Sequence, residues 1–491
     1  MNPPCHSGAK GLRSVLPILF AILTFGGCAV GPDYVAPETP APDTWHNEIR
    51  VGLSAQDLDP QALSGWWQTL GDPVLTRLIE RAVRGNLDVR EARARVREAR
   101  ARRSIGKAGL FPTLDASGSG QARRSSEETG NGSEGETYAA GFDAGWELDI
   151  FGGVRRSVEA AGADLEASRE NLRDVLVSLL AEAALNYVEV RTFEARLEVG
   201  EANLTTQQQT LQLTEWLFEA GLSDGLAVQQ ARYNLENTRS QIPALRSGLE
   251  ETRNRLAVLT GEPPGAVHAE LEQPGPIPVP PLEIAVGVPA EVLRRRPDVR
   301  RAERELAAQT ARVGAATAEL YPRLSLLGSI GLESLSLGTL FSAGSRTYNV
   351  GPTVTWPVFR AGAIRQNIVA ESALQEQALS RYEAAVLTAL EEVENALMAF
   401  AQEQDRRQSL EKAARAARRA VELSETQVAA GHTDFSTVLD SQRSLLSFQD
   451  QLAASRGIVI GNLIRLYKAL GGGWSSLAPA VEESRQAAGE K

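Results

Sequence analysis

Two cysteines, two methionines and four histidines are all the soft metal ligands that 491 residues offer. Cys5 and Cys28 lie near the N-terminus, and His6, His46, His268 and His432 stand far apart. The bulk of the chain therefore has no thiol for a disulfide and no spacing that would gather zinc or another transition metal. Neither a metal nor a cofactor is expected. Aromatics make up only 5% of the chain, while Ala, Arg, Glu and Leu fill long stretches, a composition of extended helices more than of a compact enzyme. A net charge of -11 argues against a nucleic-acid partner. The arginine-rich run REARARVREARARR, 90–103, includes Glu91 and Glu98 and no aromatic residue, and so reads as a solvated helix face. Beyond the N-terminus no run of about 18 apolar residues exists to form a membrane-spanning helix.

What is there begins with MNPPCHSGAKGLRSVLPILFAILTFGGC, in which Lys10 and Arg13 precede a short apolar run, Val15–Phe25, and small residues lead to Cys28. The run is too short to span a bilayer, so 1–27 reads as a removable export signal. A cysteine after two glycines resembles a lipoprotein signal, although Phe25 stands where such signals usually carry leucine. Cys28 is expected to be acylated and to become the first mature residue.

The chain is duplicated. NLDVREAR at 86–93 matches RPDVRRAE at 296–303, and LFPTLDASGS at 110–119 matches LYPRLSLLGS at 320–329, both at an offset of 210. Tyr138, Trp146, Gly221, Leu256 and Gly261 meet Tyr348, Trp356, Gly431, Leu466 and Gly471 at the same offset. The expected organisation is a first repeat over 86–262, a proline-rich linker over 263–295, a second repeat over 296–472 and a tail over 473–491, with 28–85 as an N-terminal segment.

Each repeat alternates two periodicities. Thr113, Asp115, Ser117, Ser119 and Gln121 alternate with Leu114, Ala116, Gly118, Gly120 and Ala122, the pattern of a strand with one polar face. Further on, Tyr138, Phe142, Trp146 and Leu148 take the even positions against Asp143, Glu147 and Asp149. Segments 322–333 and 347–358 repeat this, so four strands are expected, over about 112–123, 137–149, 322–333 and 347–358. Their length of about 11 residues suits tilted membrane strands. Serine- and glycine-rich loops at 125–136 and 336–345 would join them. Four strands cannot close a barrel, since single-chain barrels begin at about eight, and an open edge in lipid leaves backbone groups unpaired. Several chains must share one barrel.

The other periodicity is a heptad: Leu176, Ala183, Val190, Leu197, Leu204, Leu211 and Phe218 recur every seventh residue. Their mates Val386, Val393, Phe400, Ala414, Val421 and Val428 continue it, with Arg407 as the interruption. Such a repeat predicts supercoiled helices, here over about 155–219 and 365–429, with return helices over 226–260 and 436–470. Pro243 should kink the first return helix.

Several stretches together resemble the outer-membrane efflux factor family, the TolC-like proteins, and within it the lipoprotein branch serving resistance-nodulation-division pumps. They are GCAVGPDYVAPETPAPDTW at 27–45, WWQTLGDPVLTRLIERAVRGNLDVREA at 66–92, VPAEVLRRRPDVRRAE at 288–303, ELYPRLSLLGSIG at 319–331 and LYKALGGGW at 466–474. The resemblance implies a mainly α chain with membrane β-strands, forming a homotrimer. Each copy would give four strands to one 12-stranded outer-membrane barrel, continued by a long coiled-coil helical tunnel. It also implies a passive export duct rather than an enzyme, working with a periplasmic adaptor and an inner-membrane pump, in the outer membrane and anchored there by lipid. A conduit for secreted proteins and a non-conducting lipid-anchored coiled coil are the other readings. The LDSQR segment resembles the family's periplasmic gate, which places the gate at Asp440, with Ser436 one turn earlier where relatives often carry a bulky apolar residue.

GLSDG at 221–225 fits G-x-S-x-G, the serine nucleophile turn of α/β hydrolases. A heptad helix precedes it, no histidine network accompanies it, and its repeat mate GHTDF replaces the serine with threonine. Gly221 with Gly431 and Asp224 with Asp434 survive the duplication, which fits a turn: a glycine to leave one helix and an acid to cap the next. Gly221, Ser223, Asp224, Gly431, Thr433 and Asp434 are therefore expected at periplasmic hairpin tips that meet the adaptor.

Overall fold

In a computed structural model of the chain, the described residues are 29–38, 41–47, 49, 53–54, 56, 60–281 and 284–475. Cys28, and with it the expected lipidation site, lies outside them. The chain divides into two compact units. The elements in chain order are β1 (Leu53–Ser54), α1 (Pro60–Ser64), α2 (Pro73–Gly85), α3 (Leu87–Ala108), β2 (Thr113–Arg124), β3 (Glu134–Leu148), α4 (Gly153–Glu219), α5 (Gly225–Leu259), β4 (Ile284–Ala285), α6 (Pro289–Arg295), α7 (Pro297–Ala318), β5 (Arg323–Ser334), β6 (Arg346–Thr355), α8 (Ala363–Ala429) and α9 (Ser436–Ala469). Helices α4 and α8 have 67 residues each, about 100 Å at 1.5 Å per residue.

One unit comprises Arg97–Ala167, Ala302–Tyr382 and the described residues up to Pro37. It holds a four-stranded antiparallel sheet in the order β2-β3-β5-β6. The register keeps parity across the sheet: Asp115 faces Asp143, Asp143 faces Ser329, and Ser329 faces Asn349. Odd-numbered residues therefore share one polar face and even-numbered ones the other. On the even face Phe142, Ile330 and Tyr348 form a row across three strands and are 53%, 66% and 83% exposed. That apolar face is uncovered, as a lipid-facing surface would be. Trp146 donates its indole N–H to the Leu110 carbonyl at 3.1 Å, and Trp356 does the same to Leu320 at 3.1 Å. The duplication thus repeats single hydrogen bonds as well as elements.

The other unit comprises Glu38–Val96, Ser168–Arg301 and the described residues from Glu383 on. Its core gathers Trp66, Leu75, Leu78, Ile79, Leu180, Leu256, Leu463 and Leu466, all essentially inaccessible, and Trp66 stacks on Tyr467 with centroids 5.3 Å apart. Asp72 starts α2: its carboxylate accepts from the Val74 and Leu75 amides at 2.8 and 3.2 Å, with Pro73 at the first helical position, where a missing N–H costs nothing. The proline-rich segment contains more than a linker: β4 pairs in parallel with β1, and α6 follows it. Helix α5 continues through Pro243 without ending.

The heptad stripe and the buried stripe coincide only in the first part of α4. Leu176, Ala183 and Val190 are buried, but further along Gln207, Thr210 and Thr214 are buried while Leu204 and Leu211 are half-buried and Phe218 is 50% exposed. A straight helix drifts about 20° per heptad against a strict seven-residue repeat. By that drift the apolar line moves off the face that α4 presents to its own chain.

Candidate functional site

Both hairpin tips are built by the same exit from a long helix. At the end of α4 the Gly221 amide donates to Phe218 O at 3.0 Å and the Leu222 amide to Leu217 O at 2.8 Å; at the end of α8 the Gly431 and His432 amides donate to Val428 O and Gln427 O, each at 2.9 Å. This pair of bonds closes a helix through a left-handed residue. Gly221 and Gly431 have φ of +73° and +70°, and a Cβ at either would touch nothing within 4 Å. Glycine is required there by its backbone conformation and not by lack of room.

The entries into the return helices differ. Asp224 caps α5, its carboxylate accepting from the Ala227 amide at 2.9 Å. Its mate Asp434 was expected to cap α9 in the same way and does not. Helix α9 begins one position later in the repeat, at Ser436, after Phe435, and has no side-chain cap. Asp434 contributes its backbone carbonyl, which accepts from the Thr437 amide at 3.1 Å, and Thr433 and Thr437 pair through their hydroxyls at 3.1 Å. Gly221, Asp224, Gly431 and Asp434 are exposed; Ser223, Thr433 and Ser436 are half-buried.

Asp440 lies one turn into α9 on its exposed side, with its side chain 66% accessible and Arg443 Nη2 at 3.2 Å. Val438, Leu439, Gln442 and Leu446 form the buried side of the same helix. Below them runs a polar ladder to α4 that no sequence expectation singled out. Gln442 Nε2 donates to Thr210 Oγ1 at 3.2 Å, Asn203 Nδ2 to Gln449 Oε1 at 3.1 Å, and Arg196 makes two bonds to Asp450 at 2.7 and 3.0 Å. Arg196, Asn203 and Thr210 recur every seven residues, each directly before a heptad leucine. That spacing was the available signal. The ladder fixes the rotation of α9 on α4, so the exposed side of α9 is Asp440's side.

No group of three or more His, Cys, Asp or Glu residues is placed to hold a metal among the described residues, and no described helix is long and apolar enough to cross a membrane. The site offers charge, hydroxyls and helix ends, groups suited to meeting another surface.

The family model described as "Outer membrane efflux protein" matches residues 78–262 and again residues 288–472, so the two matches lie 210 residues apart at both ends. The chain belongs to the outer membrane efflux protein family. It is similar to the solvent efflux pump outer membrane protein SrpC of Pseudomonas putida, 33% identical over 462 residues that cover 93% of this chain and 98% of that protein. Nodulation protein T of Rhizobium leguminosarum bv. trifolii is 31% identical over 94% of this chain and 98% of its own length. Among solved structures, the outer-membrane channel OprN superposes with a TM-score of 0.87 at 36% identity, covering 91% of this chain and all of that one. The open state of the Neisseria gonorrhoeae MtrE outer membrane channel superposes at 0.81 and 30% identity, over 91% and 99%.

The chain is accordingly an outer-membrane efflux channel protein. Its barrel is contributed by a trimer and does not close within one copy, which accounts for the sheet's two unpaired edges, and its family is a transport component.

Proposed function

We propose that the chain is the exit duct of a tripartite pump, through which drugs, solvents or other small toxic compounds pass by diffusion to the cell exterior. The observation that carries this is the sheet's parity: a polar face on odd residues and an uncovered apolar face on even ones, kept through all four strands. Closed into a barrel with the polar face inward, it would hold water in lipid. The names of relatives fit such cargo, since they include pumps for solvent, toluene and antibiotics. Energy would come from an inner-membrane pump, with a periplasmic adaptor engaging the tips at Gly221, Ser223, Asp224, Gly431, Thr433 and Asp434.

In this reading Asp440 from three copies forms a ring at the periplasmic end, and Ser436 lies one turn before it. Like charges cannot approach without cost, so closure would depend on cations or on Arg443, which already neighbours the carboxylate. Acylation of Cys28 would add an anchor. The Val30 amide donates to Phe151 O at 3.1 Å, holding the start of the described chain beside the connection that follows β3.

Single-channel recording of the purified protein in planar bilayers tests the reading. Discrete conductance steps, larger in Asp440→Ala, are expected; silence in both proteins would refute the duct. Cys28→Ser should abolish radiolabelled palmitate incorporation while still allowing insertion, since the barrel anchors itself.

A further inference from the structure

Among the described residues β2 is paired on one side only, with β3, and β6 on one side only, with β5. Their outer edges must find strands, because hydrocarbon offers no other hydrogen-bond partner. The internal repeat indicates how. The second hairpin copies the register of the first: Asp115 faces Asp143, and 210 residues on, Ser325 faces Thr353. The junction between the hairpins, β3 on β5, pairs Ala140 with Leu332, Asp143 with Ser329 and Trp146 with Leu326.

We propose that β6 pairs with β2 of a second copy in the register obtained by carrying the β3–β5 junction forward one repeat. Val350 then lies opposite the partner's Ala122, Thr353 opposite the partner's Ser119, and Trp356 opposite the partner's Ala116. The proposal rests on the trimeric channel and adds the register of its three seams. Three features of the two edges agree with it. Every pair matches odd with odd or even with even, so the polar and apolar faces run unbroken across the seam. On the apolar face, bulky Val350, Pro352, Val354 and Trp356 meet Ala122, Gly120, Gly118 and Ala116, large against small. On the polar face, Thr353 and Thr355 meet Ser119 and Ser117, hydroxyl pairs that suit cross-strand contact.

One position departs from an exact copy. Gly141 and Gly331 face each other so closely that a Cβ on Gly331 would lie 2.7 Å from Ala140 O and 3.0 Å from Gly141 Cα. The corresponding seam pair is Gly351 with Gln121, so the seam is wider there than β3–β5.

Paired cysteines in the full-length chain test the register. Thr353→Cys with Ser119→Cys is compared with Thr353→Cys plus Ser117→Cys and with Thr353→Cys plus Gln121→Cys. Val350→Cys is combined likewise with Ala122→Cys, Gly120→Cys or Arg124→Cys, which samples the other face and the other class of ladder pair. Directly opposed positions bring Cβ atoms to about 5 Å and diagonal ones to about 7–8 Å, and a disulfide needs about 4 Å. After mild oxidation, at least one matched pair should give roughly fivefold more covalently joined chains on a non-reducing denaturing gel than either of its shifted pairs. Light scattering of the same detergent-purified proteins reports the trimer independently. A trimer whose strongest link is a shifted pair, or a trimer with no link at any pair, overturns the register. Absence of the trimer itself would instead overturn the channel on which it rests.

Discussion

The two halves of the chain run through the same elements 210 residues apart, yet they spend polar groups differently at matching places. At the start of α3, Asn86 donates from Nδ2 to Leu259 O at 3.0 Å and accepts from the Asp88 and Val89 amides. At the start of α7 its mate Arg296 reaches the equivalent carbonyl, Ala469 O, at 2.9 Å, and also binds Asp298 and Glu392, each at 2.6 Å. At the tips, Asp224 caps a helix while Asp434 does not, and the second hairpin carries Asp440 where the first has Gln230. What duplication preserves is the backbone's need: glycine in a left-handed turn, a donor for an orphan carbonyl, an indole on a fixed oxygen. Charge is free to diverge, and in the second half it has gathered where ion pairs form and where a gate would lie.

The sharpest test of that contrast is Arg296→Ala against Asn86→Ala. Arg296 is buried against the largely buried Asp298 and also reaches the exposed Glu392, so its removal should cost about 3 kcal/mol, whereas Asn86→Ala should cost about 1–2 kcal/mol. Denaturant titration of the detergent-solubilised protein compares them, and equal losses would mean the charge adds nothing. The pair also predicts an acid limb. Burial alone would raise the Asp298 carboxyl's pKa, but the hydrogen bond and charge of Arg296 outweigh it and hold that pKa below its ordinary value. A carboxylate depressed in the folded state stabilises above its unfolded pKa of about 3.9, and that stability is lost as pH falls through the folded value. Wild-type stability should therefore decline below about pH 4, and the decline should be shallower in Arg296→Ala.

Asp440→Ala should come next, as a severalfold rise in mean open conductance and in uptake of large antibiotics, while Gln230→Ala leaves both unchanged. Equal behaviour of the two variants would remove Asp440 from the gate. A smaller effect is expected from Asp224→Ala, about 1 kcal/mol, visible as faster hydrogen exchange at the Ala227 amide. Asp434→Ala should be smallest, within about 0.5 kcal/mol, because only the backbone of Asp434 is engaged. If Asp434→Ala matched Asp224→Ala, the asymmetry of the two tips would fail.

Much of this was legible in the sequence because it depends on local period and on copying. Alternation over Thr113–Arg124 and Arg346–Thr355 marks strands wherever it occurs, and Gly221 with Gly431 marks a turn through the same backbone requirement. The polar ladder of Arg196, Asn203 and Thr210 is hidden in the sequence by the heptad of leucines beside it. Asp434 misled for a related reason: a capping residue is defined by where the helix starts, and α9 starts one residue late.

The sequence by itself determined the duplication, the parity of the strands, the long helices and the insufficiency of four strands for a barrel, since each follows from periodicity and length. Only the tertiary structure decided which side of α9 faces outward, that Asp224 caps and Asp434 does not, and that the leucine line leaves the buried face along α4. Those outcomes turn on small rotations and one-residue shifts of packed helices. Such shifts are set by the contacts of both neighbours together, and no single segment encodes them.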